Sequence, residues 1–247
     1  MSFPRSVFPW LMILVLSFWA GVPSAAAQQK GRARLPPEAR IVPQEGFAAV
    51  GPDLADPAPD FQLLDTLGKK VRLSELWSDG PVLLVLGSIT SPEFRNTAAG
   101  LQELAASHDG LADVVLLYTQ EAHPQGGSGP YGTPASQPAE DPRFNLPQAR
   151  TAAERATAAR LAMDKLGLGK PLRVLVDGMD NAAWSAYGPA PNNAFVIDRH
   201  GQVVARSGWF DAALMRASLA DALAREPRPE PAKPEGAPEE GVKKEKN

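Results

Sequence analysis

Short apolar runs that alternate with helix-forming segments are the feature that most restricts the fold of this chain. Val82–Leu86 is continuously apolar between Gly80-Pro81 and Gly87, and Val114–Tyr118 is a second run of the same kind. Such runs are typical of strands buried on both faces. Strands of this kind need helices on both sides to cover them, so the pattern predicts an α/β fold.

The segments around these runs predict the remaining elements. We expect a Ser74-capped helical turn through Trp77 and a helix that opens at Ser91-Pro92. The other expected helices are Ala149–Leu166, Asn181–Tyr187 and Asp211–Ala224, and the other expected strands are Asp60–Leu64, Lys70–Leu73, Leu172–Asp177, Ala194–Asp198 and Val203–Ser207. This order predicts a thioredoxin-like fold, with a mixed central β-sheet flanked by helices.

Both ends of the chain differ in composition from the middle. Residues 1–27 resemble a secretory signal peptide, with Arg5, the apolar run Val7–Val22 and small residues at Ala25–Ala27. The run has 16 residues, short of the roughly 20 that a spanning helix needs, although an uncleaved anchor is the alternative. We expect an exported protein, periplasmic or secreted, with no integral membrane segment after cleavage.

The rest of the chain divides into three parts by composition. Residues 28–44 are rich in proline and arginine and predict a linker, and residues 45–224 predict a single thioredoxin-like domain. Residues 225–247 hold prolines and mixed charges with almost no apolar side chains. Such a segment cannot bury enough surface to fold, so it predicts a disordered tail.

The composition excludes several functions. The 247 residues include no cysteine, which excludes disulfides, thiolate metal sites and a nucleophilic thiol. The net charge of −3 gives no general attraction to nucleic acid. The three histidines are far apart in sequence and match no metal-binding spacing, so neither a metal nor a cofactor is expected.

Three stretches, in this order, resemble the iodothyronine deiodinases, and one that precedes them resembles a wider group of thioredoxin folds. Ala58–Leu76 is similar to the entry of peroxiredoxin-type and related thioredoxin folds, and Gly87–Phe94 resembles the active-site turn of deiodinases. Tyr118–Pro124 and Met179–Ile197 are similar to two further signatures of that family. The resemblance implies a thioredoxin-like fold and an oxidoreductase ancestry.

The same resemblance implies roles for single residues. It puts Ser91 at the selenocysteine or cysteine position and Ile89 where many relatives carry a second cysteine, while Glu121 and His123 correspond to polar residues near the reacting centre. The implied substrate-pocket residues are Ser88, Thr90, Tyr118 and Pro191. A serine hydroxyl is far less acidic than a thiol and has no accessible redox cycle, so thiol or selenol chemistry at Ser91 is not expected.

Three functional hypotheses remain open. The first is an exported, redox-inactive domain that binds a small-molecule or protein ligand; the second is an oxidoreductase with deiodinase-type or thiol-reductase activity. The third is a structural envelope-interaction protein that works through residues 225–247. A hydrolase with Ser91 as nucleophile, His123 as base and Glu121 as orienting group has the required residue types, but the chain lacks a Gly-x-Ser-x-Gly motif.

Overall fold

The fold is a single sheet with helices packed around it. The computed structural model describes residues 51–126, 129–131 and 142–225. The strands within these ranges are β1 (Gln62–Asp65), β2 (Lys70–Arg72), β3 (Val82–Gly87), β4 (Asp113–Tyr118), β5 (Arg173–Val176), β6 (Ala194–Ile197) and β7 (Val203–Ser207). The helices are α1 (Leu73–Asp79), α2 (Pro92–Ser107), α3 (Ala152–Leu166), α4 (Ala182–Ala186) and α5 (Ala212–Arg225), with a 3-10 turn at Pro142–Phe144.

The strands of the described residues form one mixed sheet in the order β2-β1-β5-β4-β3-β6-β7. The central strands β3, β4 and β5 are parallel, whereas β6 and β7 on one side and β1 and β2 on the other are added antiparallel. This arrangement confirms the predicted thioredoxin-like fold. Because the three parallel strands end at the same edge of the sheet, the loops that follow them meet there.

The apolar run of β3 divides between two hydrophobic cores, one on each face of the sheet. Leu83 and Val85 face the core beneath α2, α3 and α5, whereas Val82, Leu84 and Leu86 face the opposite core. Each of these side chains is 0% exposed. The alternation follows from the two-residue period of a strand, and it explains why the run carries no polar residue.

The helix termini follow local sequence signals in most cases. Ser91 is the N-cap of α2 with Pro92 in its first turn, and Thr151 caps α3 by accepting a hydrogen bond from the Glu154 N–H. α3 ends at Gly167, which has a φ of 65°, a conformation that glycine adopts without strain.

Several helix boundaries differ from the prediction; α3, for example, begins at Ala152 rather than at Ala149. α1 begins at Leu73 with Arg72 as its N-cap residue, and Ser74 lies within the helix. The Ser74 hydroxyl and N–H both donate to Asp60, at 2.9 and 3.0 Å, so a partner distant in sequence replaces the expected cap. α5 ends at Arg225, one residue beyond the predicted domain end.

The predicted signal peptide, linker and nearly all of the predicted tail lie outside the described residues. Within the described part of the chain, no helix combines the length and the apolar character that crossing a membrane requires.

Candidate functional site

The turn between β3 and α2 holds Ser91 at the N-terminus of a long helix. The Ser91 Oγ accepts a hydrogen bond from the Phe94 N–H at 3.3 Å and donates one to Glu93 Oε2 at 3.1 Å. Ser91 is 0% exposed, so its hydroxyl is enclosed by protein. A helix N-terminus favours a negative charge at this position, but the hydroxyl forms both of its hydrogen bonds with residues in the first turn of α2.

Beside this turn, the buried carboxylate of Glu121 accepts three hydrogen bonds. Glu121 Oε2 accepts from the Thr90 N–H at 3.2 Å and from the Thr90 hydroxyl at 2.8 Å. Glu121 Oε1 accepts from the Tyr118 hydroxyl at 2.5 Å. The Tyr118 oxygen in turn accepts from the Ile89 N–H at 3.3 Å. The network therefore connects the end of β4 to the turn after β3.

Burial decides the protonation of both members of this network. It raises the pKa of Glu121, while the hydrogen bonds from Tyr118 and Thr90 and the positive charge of Arg155 act in the opposite direction. Burial, reinforced by the neighbouring Glu121, raises the pKa of Tyr118 well above its ordinary value of 10. Tyr118 therefore stays protonated at neutral pH and serves as the donor of the pair.

Backbone groups of the loop after β4 bind the same turn. The Ser88 hydroxyl accepts from the Ala122 N–H, and the Thr90 hydroxyl accepts from the His123 N–H, each at 3.1 Å. Gln148 binds the backbone of Glu121 twice, accepting from its N–H at 2.8 Å and donating to its carbonyl at 3.2 Å. The sequence analysis missed Gln148, because nothing in its local sequence marks a residue that bridges two loops.

His123 is half-buried at the edge of this cluster. Burial lowers its pKa, and Arg95 lowers it further, whereas Glu93 raises it. The imidazole is therefore neutral at pH 7 and has both a donor and an acceptor nitrogen. Ser91 donates to Glu93 rather than to His123, so the serine–histidine pair that hydrolysis requires is not formed.

A buried arginine and aspartate extend the site towards β5, and the sequence analysis missed both. Arg155 of α3 is 2% exposed, and its Nη1 donates to the carbonyl oxygens of Asp177 and Gly178 at 3.3 and 2.5 Å. Arg155 shares a helix face with Ala159 and Ala162, both 0% exposed. An arginine on an otherwise apolar face was therefore the signal that could have found it.

Asp177 follows β5 and binds the first turn of α4. Its carboxylate accepts from the N–H groups of Gly178, Ala183 and Trp184 at 2.9, 3.3 and 3.1 Å. Burial raises the pKa of Asp177 to about 6, although these hydrogen bonds and Arg155 oppose the shift. The site therefore contains two buried carboxylates, Asp177 and Glu121, and one buried guanidinium, that of Arg155, which interacts electrostatically with both.

The last predicted pocket residue, Pro191, is buried in the loop before β6. Its neighbour Asn192 donates to the Thr97 hydroxyl of α2 at 3.0 Å, which holds this loop against the helix that Ser91 caps. Ser88, Thr90, Tyr118, Glu121 and the His123 backbone are thus joined by hydrogen bonds, whereas Pro191 adjoins α2 through its neighbour. In the described ranges, no three acidic, histidine or cysteine side chains are grouped as a metal site.

Comparison with known proteins gives the family of the chain. The model of the family described as iodothyronine deiodinase matches residues 24–209. The type II iodothyronine deiodinase of Gallus gallus is 30% identical over 122 residues, 49% of this chain and 42% of the relative. The thyroxine 5-deiodinase of Gallus gallus is 30% identical over 147 residues, 58% of this chain and 52% of the relative. The chain thus spans about half the length of these relatives.

Among solved structures, a hypothetical protein of Sinorhizobium meliloti is similar, with a TM-score of 0.52 and 18% identity over 74% of this chain and 90% of that chain. This likeness concerns the fold alone. The family match covers the turn at Ser91, the loop after β4 and the segment before β6. The chain therefore belongs to the iodothyronine deiodinase family.

Proposed function

We propose that this chain is a deiodinase-family protein without redox chemistry of its own, and that it binds a small-molecule or protein ligand beside the N-terminus of α2. In this proposal Ser91 occupies the position where the family carries its selenium or sulfur atom. The observation that carries the proposal is the enclosed Ser91 hydroxyl, which is 0% exposed and bound to the Phe94 N–H and Glu93.

The chemistry of the serine hydroxyl supports this conclusion. Reductive removal of iodine or reduction of a disulfide needs a sulfur or selenium atom that can be oxidised and reduced again, and proteins ionise such atoms at helix N-termini. The helix N-terminus is present at α2, but the chain has no cysteine to exploit it.

The polar residues around the turn support a binding role. Glu121 and Tyr118 satisfy each other and the turn through hydrogen bonds, which makes the wall of the site rigid. His123 is the half-buried member of the set, and its neutral imidazole can donate to a ligand or accept from it. We therefore expect a ligand to contact His123.

Turnover separates this proposal from the oxidoreductase alternative. Full-length protein incubated with thyroxine and dithiothreitol is expected to release no iodide above the buffer control. Because Ser91 is the residue at issue, Ser91→Ala is the matched variant. Iodide release by the unaltered protein that disappears in Ser91→Ala would overturn the proposal in favour of an enzyme.

A cysteine at position 91 tests whether the site is enclosed. Ser91→Cys gives the chain a single thiol, and Ser78→Cys is the control because Ser78 is exposed on α1. We expect the thiol at position 91 to react with an aromatic disulfide reagent at least tenfold more slowly than the thiol at position 78, because access requires local opening. Equal reaction rates of the two thiols in the native proteins would contradict an enclosed site. In denaturant the two thiols should react at equal rates, which is the control for their intrinsic reactivity.

Export and the role of the tail are separate parts of the proposal. The pattern in residues 1–27 leads us to propose an exported protein that is cleaved after Ala27, and N-terminal sequencing of the mature protein tests this. The envelope-interaction alternative predicts that deletion of residues 226–247 abolishes partner capture. Our proposal predicts that His123→Ala weakens capture and that this deletion does not.

A further inference from the structure

An open groove lies between the β1–β2 hairpin and the N-terminal half of α3. Its volume is about 660 Å³, and it ends at Asp177 and Gly178. This volume is within the range of small-molecule sites, roughly 300–1,000 Å³. Neither Ser91 nor His123 lines the groove, so its opening is distinct from the start of α2, although Asp177 is common to both sites.

The lining of the groove is mainly apolar. Leu64 and Val176 form one side, where β1 pairs with β5. On the other side, α3 contributes Ala152, Ala153 and Ala156, whose short side chains leave the space between helix and hairpin open. Leu64 is 45% exposed and Leu67 of the hairpin turn is 86% exposed. Large apolar side chains grouped in an open groove are a common mark of a binding site.

Two cationic side chains line the groove and have no carboxylate partner among the described residues. Among the described residues, Lys70 makes no ion pair, and Arg160 binds only neutral acceptors, the Thr66 carbonyl at 3.2 Å and the Thr157 hydroxyl at 2.9 Å. The acidic lining residues are engaged elsewhere. The Asp65 carboxylate accepts from the N–H groups of Leu67 and Lys69, and Asp177 binds α4.

We propose that this groove binds an amphipathic organic anion of the fatty-acid type. The apolar chain would lie against Leu64, Val176 and the α3 alanines, and the carboxylate would pair with Lys70 and Arg160. Because the Asp65 and Asp177 carboxylates are bound to backbone N–H groups, Lys70 and Arg160 are the charged groups available to a headgroup, which favours an anion. The open apolar lining favours a long hydrocarbon body. This inference is independent of the function proposed for the Ser91 site.

Calorimetric titration of the full chain with laurate tests the proposal. Dodecyltrimethylammonium, which has the same chain length and the opposite charge, is the matched ligand, and both are used below their micellar concentrations. We expect laurate to bind at least tenfold more tightly, and 0.5 M NaCl to weaken it severalfold because the two cations are exposed and screened by salt. Equal binding of both ligands, or no binding of laurate, would overturn the proposal.

Variants assign the bound laurate to the groove. Ala152→Trp fills the groove from an exposed position in the first turn of α3, and we expect at least a tenfold loss of laurate affinity. Lys70→Gln and Arg160→Gln should each lower the affinity for laurate about two- to fivefold, as expected for the loss of an exposed charge pair. Lys165→Gln, on the same helix outside the groove, is the control and should leave affinity unchanged.

Two results would contradict the assignment. If Ala152→Trp keeps its thermal unfolding midpoint and still binds laurate with unchanged affinity, the groove is not the site. If His123→Ala rather than Ala152→Trp removes binding, the anion occupies the Ser91 site and the groove proposal is wrong, while the function proposed for Ser91 still stands.

Discussion

At the scale of single residues, Ser91 combines two roles in one hydroxyl group. The Ser-Pro pair predicts an N-cap followed by a first-turn proline, and both are confirmed. Local sequence does not reveal that the hydroxyl also donates to Glu93 or that the side chain is completely enclosed. Glu93 is a local partner, two residues along the chain, whereas the enclosure depends on how the rest of the fold packs around the turn.

Because the Ser91 hydroxyl caps α2, its removal should lower the stability of the protein. Ser91→Ala leaves the Phe94 N–H without its acceptor, so we expect the free energy of unfolding to fall by about 1 kcal/mol, within the usual range for N-caps. Chemical denaturation measures this loss. Ser78→Ala is the control, because the exposed Ser78 hydroxyl donates to the Glu75 carbonyl within α1 and caps no helix. An unchanged stability in Ser91→Ala would show that the cap contributes nothing.

At the scale of elements, the passage from β3 into α2 depends on a glycine. A Cβ at Gly87 would lie 2.4 Å from Cδ2 of the Phe94 ring, and Phe94 is 0% exposed and cannot move aside. Gly87 therefore allows the first turn of α2 to pack against the end of β3. This close packing also brings Ser91 over the carboxyl ends of the parallel strands.

We therefore expect Gly87→Ala to destabilise the protein by about 1–3 kcal/mol, the usual cost of adding a methyl group to a filled core. Gly169→Ala is the matched control, because no atom lies within 4 Å of the Cβ that it would add. Comparison of the two denaturation midpoints measures the effect. Because Gly→Ala by itself reduces the entropy of the unfolded chain and favours folding, a loss of similar size in both variants would mean that the contact with the Phe94 ring is not responsible.

Element boundaries were predictable where the signal is local. α2 begins at the predicted residue because Ser91 and Pro92 act on their own helix. The prediction for Ser74 was wrong because its hydroxyl and N–H bind Asp60, fourteen residues earlier in the chain. A cap can be read from sequence only when no distant partner competes for it.

At the scale of the whole molecule, the parallel strands gather buried charge at one edge of the sheet. Glu121 follows β4 and Asp177 follows β5, and Arg155 of α3 lies near both carboxylates. Burial raises the pKa of both carboxyl groups. The folded protein therefore holds protons at a pH where the unfolded chain has released them, so each group stabilises the fold at low pH and loses this contribution as the pH rises.

The pH dependence of stability tests this arrangement. The pKa of Asp177 rises from 3.8 to about 6, so its contribution is complete below about pH 4 and is lost by about pH 7, a change of roughly 3 kcal/mol. Asp177→Asn should remove this loss of stability with rising pH. Denaturation curves measured between pH 4 and 7.5 would show it as a smaller decrease in the free energy of unfolding than in the unaltered protein. Asp180→Asn, at an exposed carboxylate, is the control.

The pH dependence of stability must be compared between variants, because the titration of His123 changes the free energy of unfolding in the opposite direction to that of Asp177. Burial lowers the pKa of His123 below 6.5, so its neutral form stabilises the fold above pH 6.5 and this contribution is lost as the pH falls. If the difference in stability between the unaltered protein and Asp177→Asn does not change with pH, Asp177 does not titrate as proposed.

The sequence alone determined the thioredoxin-like sheet, the start of α2, the family and the absence of a thiol, because these depend on periodicity, local caps and residue types. Only the tertiary structure decided that Ser91 is enclosed, that Gln148 and Arg155 belong to the site, and that an open, mainly apolar groove lies beside α3. These features arise from contacts between segments far apart in the chain, which no local pattern records.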